Sequence, residues 1–244
     1  MQLSEMINKV HCADCLQFMK DIPDKSIDLV LIDPPYNTTQ LDFENDLFLS
    51  DKFLKELKRI SKNGFMVCFS KQPFTSSVVM QKIFRYRYEI IWEKTHPTRF
   101  LDSGWRPLDN HENILIFFDE KSTYNPVMGT GNKYYKASSG SKTRIYGEYK
   151  KHTTVSNGER LPKSVLKYSN GNNNSFHPTE KNLDLMMNLV MQYSNENDLI
   201  LDPFLGSGTT TKACQELHRN FIGIEISEKY CQIARERLKQ HPLF

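Results

Sequence analysis

Leu199-Ile200-Leu201-Asp202-Pro203-Phe204-Leu205-Gly206-Ser207-Gly208-Thr209-Thr210 reads as a short apolar strand that ends in an acid, makes a tight glycine turn and opens a helix. Glycine in such a turn lets the backbone approach a ligand closely, and the helix start presents unpaired N–H groups to negative charge. Asn220 to Ile224 is a second strand, and Glu225 ends it 23 residues after Asp202. In dinucleotide-binding folds an acid about 20 residues on holds ribose hydroxyls, a geometry open to any adenosine cofactor. Here Thr211 stands where the third glycine of that fingerprint would be, and no phosphate-binding lysine follows as in a P-loop. The turn suits adenosine without a pyrophosphate, which makes S-adenosylmethionine the candidate cofactor.

The same alternation extends outward from this stretch. Strands are expected at 9–12, 27–32, 65–69, 86–93, 112–118, 198–201 and 220–224. Helices are expected at 14–22, through Phe53, Leu57 and Ile60 to the stop at Asn63-Gly64, at 73–84, from Thr179, at 209–217 and from Ser227. Seven strands that alternate with helices, except around the loop at 95–110, predict an α/β fold with a doubly wound, mostly parallel seven-stranded sheet. With 244 residues, 39% hydrophobic and 25% charged, the chain is expected to be one domain over 1–244 rather than a disordered or fibrous chain. No apolar run approaches the roughly 18 residues of a membrane helix. The start, Met1-Gln2-Leu3-Ser4-Glu5, lacks the layout of a secretory signal, so no membrane association and a cytoplasmic location are expected. Five cysteines suit reduced thiols, and the Cys12-x-x-Cys15 pair lacks the second close pair that a structural zinc site wants, so no metal is expected.

The strand at 27–32 runs into Asp33-Pro34-Pro35-Tyr36. Two prolines fix two φ angles and remove two donors, which is more rigidity than a strand end needs. Their carbonyls and the Asp33 carboxylate are acceptors, and Tyr36 adds a flat face with a polar tip. An exocyclic amine on a nucleobase offers what these groups hold: N–H donors and a ring. Polar residues 37–46 are expected to form a loop over this site.

The formal charge of +3 conceals a basic segment. Between Lys121 and Lys167 there are ten Lys and Arg against Glu148 and Glu159, a net +8 that leaves −5 on the rest. Residues 119–175 also hold six of the eleven glycines and Tyr124, Tyr134, Tyr135, Tyr146 and Tyr149. Cations interleaved with aromatics on irregular backbone suit a nucleic-acid surface. Residues 119–175 are therefore expected to be an inserted basic target-recognition region.

These motifs, in this order, resemble the β group of S-adenosylmethionine-dependent DNA amino methyltransferases, of prokaryotic or phage type, over nearly the whole chain. His177-Pro178-Thr179-Glu180-Lys181 resembles that family's His-Pro-Thr-x-Lys-Pro segment, with Asn182 in place of the last proline. The resemblance implies a Rossmann-like methyltransferase fold with circularly permuted motif order, in which the strand ending at Asp202 lies beside the strand ending at Ile32. It implies catalysis by Asp33, Pro34, Pro35 and Tyr36 on a base flipped out of the duplex. Asp14 would meet the cofactor's adenine and Glu225 its ribose. Asp202 and the turn Gly206, Ser207, Gly208 and Thr209 would flank its methionine part and Lys181 would reach its carboxylate; Asp33, His177, Thr179 and Phe204 complete the expected cofactor-binding set, the His177 ring fixing its loop rather than acting as a base. A helix N-cap is the competing reading for Asp14. The aspartate that opens the first motif points to adenine N6, with cytosine N4 or RNA as alternatives. A catalytically silent DNA-recognition subunit is disfavoured because both motif sets are intact. DNA is the expected partner. The resemblance leaves room for a homodimer, and any restriction endonuclease would lie on another chain.

Overall fold

The computed structural model describes residues 2–36, 46–145, 147–171 and 180–240. Its main sheet contains β1 (Lys9–Cys12), β2 (Leu29–Ile32), β3 (Met66–Ser70), β4 (Tyr86–Thr98), β5 (Asp109–Phe117), β6 (Val165–Tyr168), β7 (Leu199–Asp202) and β8 (Asn220–Glu225). The order across the sheet is β1-β8-β7-β2-β3-β5-β4-β6. Pairing is parallel from β1 to β3 and between β4 and β6, and antiparallel on both sides of β5. β7 lies against β2 in the register Ile200 with Leu29 and Leu201 with Val30, so the strands ending at Asp202 and Ile32 are neighbours as expected.

β2, β3 and β7 are buried along their whole length, as strands covered on both faces should be. Alternate residues feed two cores. Val30, Ile32, Met66, Cys68 and Leu201 join Leu16, Phe53, Leu57 and Val78, from α1 (Cys15–Met19), α2 (Asp51–Ile60) and α3 (Phe74–Met80). Leu29, Leu31, Val67, Phe69 and Ile200 join Leu185, Leu189, Ala213 and Cys214, from α4 (Leu183–Tyr193) and α5 (Thr209–Glu216). Cys231 and Ala234 of α6 (Glu228–Lys239) pack with Val10 and Leu205.

All seven expected strands are present, and β6 adds an eighth at the edge. It was hidden in the irregular stretch because only every second residue is partly covered and none is buried. Thr98 pairs with Asp109, so the loop placed at 95–110 shrinks to 99–108. α3 stops at Met80, short of the expected Phe84, because the Gln81 side chain accepts from the Ile83 and Phe84 N–H groups. α4 starts at Leu183 rather than Thr179, with Asn182 as its cap, accepting from Leu185 N–H at 3.0 Å. Proline has no side-chain acceptor for that bond.

Within the chain expected as one domain, Pro126–Lys163 forms a second compact unit. It is not irregular: three short antiparallel ladders nest along one hairpin arm, pairing 129–130 with 159–160, 134–138 with 152–156, and 141–143 with 147–149. Tyr135 and Val155 on this arm are exposed. Strands that bury so little carry no apolar alternation to read.

Candidate active site

The ends of β2, β7, β8 and β1 open on one edge of the sheet. Asp202, at the end of β7, is buried; its Oδ1 accepts from Phe204 N–H at 3.0 Å and its Oδ2 from the Thr210 hydroxyl at 2.6 Å. Strand end and helix start are thereby tied to one carboxylate. Burial pushes that carboxyl up to about 7, against the pull of the two hydrogen bonds. Asp33 and Glu225 add to the upward push.

Glu225 bridges two loops, its Oε2 accepting from Gly206 N–H at 2.9 Å and its Oε1 from Ser227 N–H at 2.8 Å. Gly206 has φ +55°, and a Cβ there would meet nothing within 4 Å. Gly208 has φ +87°, and a Cβ there would lie 2.8 Å from that of Ala234. One glycine leaves an open cradle; the other lets α5 and α6 pack. The Ser207 hydroxyl donates to Glu180 at 3.3 Å, and Arg237 pairs with Glu180 at 3.1 Å while donating to Thr209 at 3.1 Å. The side chains of Ser207 and Thr209 thus serve a buried ion pair behind the turn. Phe204 packs its ring 5.4 Å from that of Phe53.

Asp14 caps α1, accepting from Gln17 N–H at 2.8 Å. Cys12 is in register with Glu225, and Ala13 N–H donates to the Glu225 carbonyl at 3.0 Å, which sets Asp14 beside the Glu225 loop.

At the end of β2, Lys181 Nζ lies 2.7 Å from Asp33 Oδ2 and 3.2 Å from Glu112 Oε2. The Tyr36 hydroxyl donates to Asp33 Oδ1 at 2.7 Å, with Glu112 Oε2 as a second acceptor at 3.2 Å. Lys94 donates to Glu112 Oε1. Two carboxylates and two ammonium groups thus share one pocket. Burial raises the Asp33 carboxyl; Lys181 pulls it down and Glu112 pushes it up, leaving it above its ordinary value. Burial also raises Glu112, but Lys181 and Lys94 overcome it and bring that carboxyl to about 2. Burial, Asp33 and Glu112 hold Tyr36 firmly as the neutral phenol.

Sequence reasoning missed Glu112, Lys94, Glu180 and Arg237. For Glu112 a signal existed: it is a charge two residues before the apolar run Ile114 to Phe117, inside a strand. His177, Thr179 and the loop at 37–45 lie outside the described residues. Beyond the same edge, the turn between β4 and β5 exposes Phe100, Leu101 and Trp105. Asp109 anchors it, binding Lys71, Arg99 and Arg106 at 2.9, 3.1 and 2.6 Å.

A sheet in this order, with ligand loops at the switch between β7 and β2 and an open glycine cradle beside an acid-ended strand, defines a Rossmann-like S-adenosylmethionine-dependent methyltransferase. Residues 27–236 match the N6/N4 methyltransferase family model, described as DNA methylase, and the chain belongs to that family of DNA amino-methyltransferases. It is 31% identical to the type II methyltransferase M.HpaI of Haemophilus parainfluenzae, over 96% of this chain and 74% of that protein. It is 27% identical to the DNA adenine methyltransferase YhdJ of Escherichia coli K12, over 92% of this chain and 80% of that one. The crystal structure of the M1.HpyAVI complex with S-adenosylmethionine superposes with a TM-score of 0.64 at 28% identity, covering 94% of this chain and 98% of the other. Among the described residues no helix is long and apolar enough to cross a membrane.

Proposed function

We propose that the chain methylates the N6 amine of adenine in DNA, with Asp33, Pro34, Pro35 and Tyr36 as the groups that hold the base. The observation that carries this reading is the Asp33 carboxylate at the end of β2, held by Lys181 on one oxygen and, among the described residues, by the Tyr36 hydroxyl on the other. The bound cofactor supplies an electrophilic methyl group on a sulfonium. Asp14, Asp202, Glu225 and the cradle at Gly206 hold that cofactor on the neighbouring strand ends. A flipped base stacks on Tyr36, whose hydroxyl gives up its bond to Asp33 Oδ1. That oxygen and the Pro34 carbonyl then accept the two amine hydrogens and turn the nitrogen lone pair toward the methyl group. Asp33 would take the proton that nitrogen sheds as the N–C bond forms and the sulfonium S–C bond breaks, its electron pair staying on sulfur. The gain in rate is mostly positional, because nucleophile and methyl are held together in one geometry.

Aspartate at the first motif position supports adenine, since the family's cytosine enzymes more often carry serine there. The adenine methyltransferase named above, alike over most of both chains, supports it too. The basic arm at 126–163 serves target recognition, and the exposed aromatics at 100–105, flanked by Arg99 and Arg106, make a second DNA contact. The test is transfer of labelled methyl groups to unmodified DNA, followed by digestion to nucleosides and mass spectrometry. N6-methyladenine is expected. N4-methylcytosine overturns the assignment of the base, and full activity of Asp33→Ala overturns the assignment of the acceptor.

A further inference from the structure

Lys181 sits in the segment that the family resemblance assigns to the cofactor carboxylate, and its ammonium is also paired with acids of the protein. It has two carboxylates within reach, Asp33 at 2.7 Å and Glu112 at 3.2 Å. The rings of Phe69, Tyr36 and Trp92 enclose it at 5.1, 5.6 and 6.0 Å. Its side chain is 8% exposed, as is that of Glu112. A buried ammonium with such partners is fixed in place, because leaving them strands charges in low dielectric. Glu112 is fixed in turn by Lys94 on its other oxygen.

We propose that Lys181 is a positioning residue for Asp33: it grips Oδ2 so that Oδ1 stays aimed at the substrate amine, and Glu112 anchors Lys181 while offering the Tyr36 hydroxyl an alternative acceptor. The proposal rests on the reading of Asp33 as amine acceptor. It gives the chain a support for the reacting carboxylate built from β4, β5 and the segment before α4. Tyr36 can then release Asp33 to stack on a base without leaving its phenol unpaired.

Among the described residues, the groups facing Asp33 are Tyr36 on its own loop, Glu112 of β5 with Lys94 of β4 behind it, Lys181, Asp202 of β7 and Cys68 of β3. The two charged supports act on it in opposite senses: Lys181 favours the carboxylate and Glu112 opposes it. Lys181→Met should therefore move the acid limb of the transfer rate to higher pH, and Glu112→Gln should move it to lower pH. A purely structural role gives no such pair of opposite shifts.

The experiment uses the full chain. Single-turnover methyl transfer is measured against pH for wild type, Lys181→Met, Lys181→Arg and Glu112→Gln, with S-adenosylhomocysteine affinity measured by calorimetry. Expected are opposite shifts of the acid limb and a transfer rate about 100-fold lower in Lys181→Met. Lys181→Arg should keep the wild-type limb. S-adenosylhomocysteine affinity should change by less than about tenfold in all three, below what losing a charged hydrogen bond costs. An affinity loss of tenfold or more in Lys181→Met places the lysine on the cofactor carboxylate and overturns the proposal. So do shifts in the same direction, or no shift. If Lys181→Met does not fold, the downward shift in Glu112→Gln, or its absence, decides the matter. Asp33→Asn separates the two readings: activity there refutes the role of Asp33 itself, whatever the supports do.

Discussion

Asp202→Asn should make the protein more stable and bind its cofactor less well. Asp202 is 4% exposed, and burial carries its carboxyl from 3.8 to about 7. The folded pKa lies above the unfolded one, so the folded chain holds the proton more tightly. Between the two values the folded state is protonated and the unfolded state is not, and stability falls as pH rises through that window, then levels off above 7. The full span converts to about 4 kcal/mol of stability lost at alkaline pH relative to acid, an upper bound for an acid that also accepts two hydrogen bonds. Asparagine keeps an acceptor for Phe204 N–H, and the Thr210 hydroxyl can turn to accept from the new amide. Removing the charge should raise unfolding free energy by about 2–4 kcal/mol above pH 7, and by much less near pH 4. The assay is urea unfolding of wild type and variant, free of cofactor, at both pH values. A variant less stable than wild type at alkaline pH refutes the reasoning. In the proposed function the same charge faces the cofactor, so the variant should also lose S-adenosylmethionine affinity, a trade of stability for function.

Other expectations follow from the supporting contacts. Arg237→Ala removes the cation paired with the buried Glu180 carboxylate and should cost about 3–5 kcal/mol in denaturant unfolding, whereas removing both charges together should cost less than either alone. Gly206→Ala and Gly208→Ala should separate: the first puts a methyl into open space at positive φ, losing cofactor affinity for about 1–2 kcal/mol of strain, while the second also meets Ala234 and should lower the melting temperature much further. Trp105→Ala should weaken DNA binding by about 1–3 kcal/mol if the ring stacks on a base, leaving S-adenosylhomocysteine affinity unchanged. Filter binding and calorimetry on the same variant distinguish that from a general loss of folding.

The sheet was legible wherever burial on both faces forces a continuous apolar run. Leu29 to Ile32 and Leu199 to Leu201 have no other use in a chain of this composition. β6 and the arm at 126–163 were not legible, since strands that stay exposed need no hydrophobic period. Helix ends failed for a related reason: the Asn182 and Gln81 side chains, local polar choices, set where α4 begins and where the chain turns after α3.

The site divides along the direction of the strands. In a parallel sheet, chemistry collects where strands end, so Asp33, Asp202 and Glu225 stand out by position. β5 runs the other way: Ser70, at the end of β3, pairs with Asn113, midway along β5, whose first residues reach past that end. The edge that holds the ends of β2, β3 and β7 therefore receives the beginning of β5, and with it Glu112. A reading that searches strand ends passes over this acid, 79 residues from Asp33 and on the wrong side of its own strand. The physical rule is the edge of the sheet rather than the end of the strand. For an antiparallel member such as β5 it selects the first polar residues before the apolar run, Asp109 to Asn113. These include the carboxylate that holds Lys181 and the one that anchors the exposed turn.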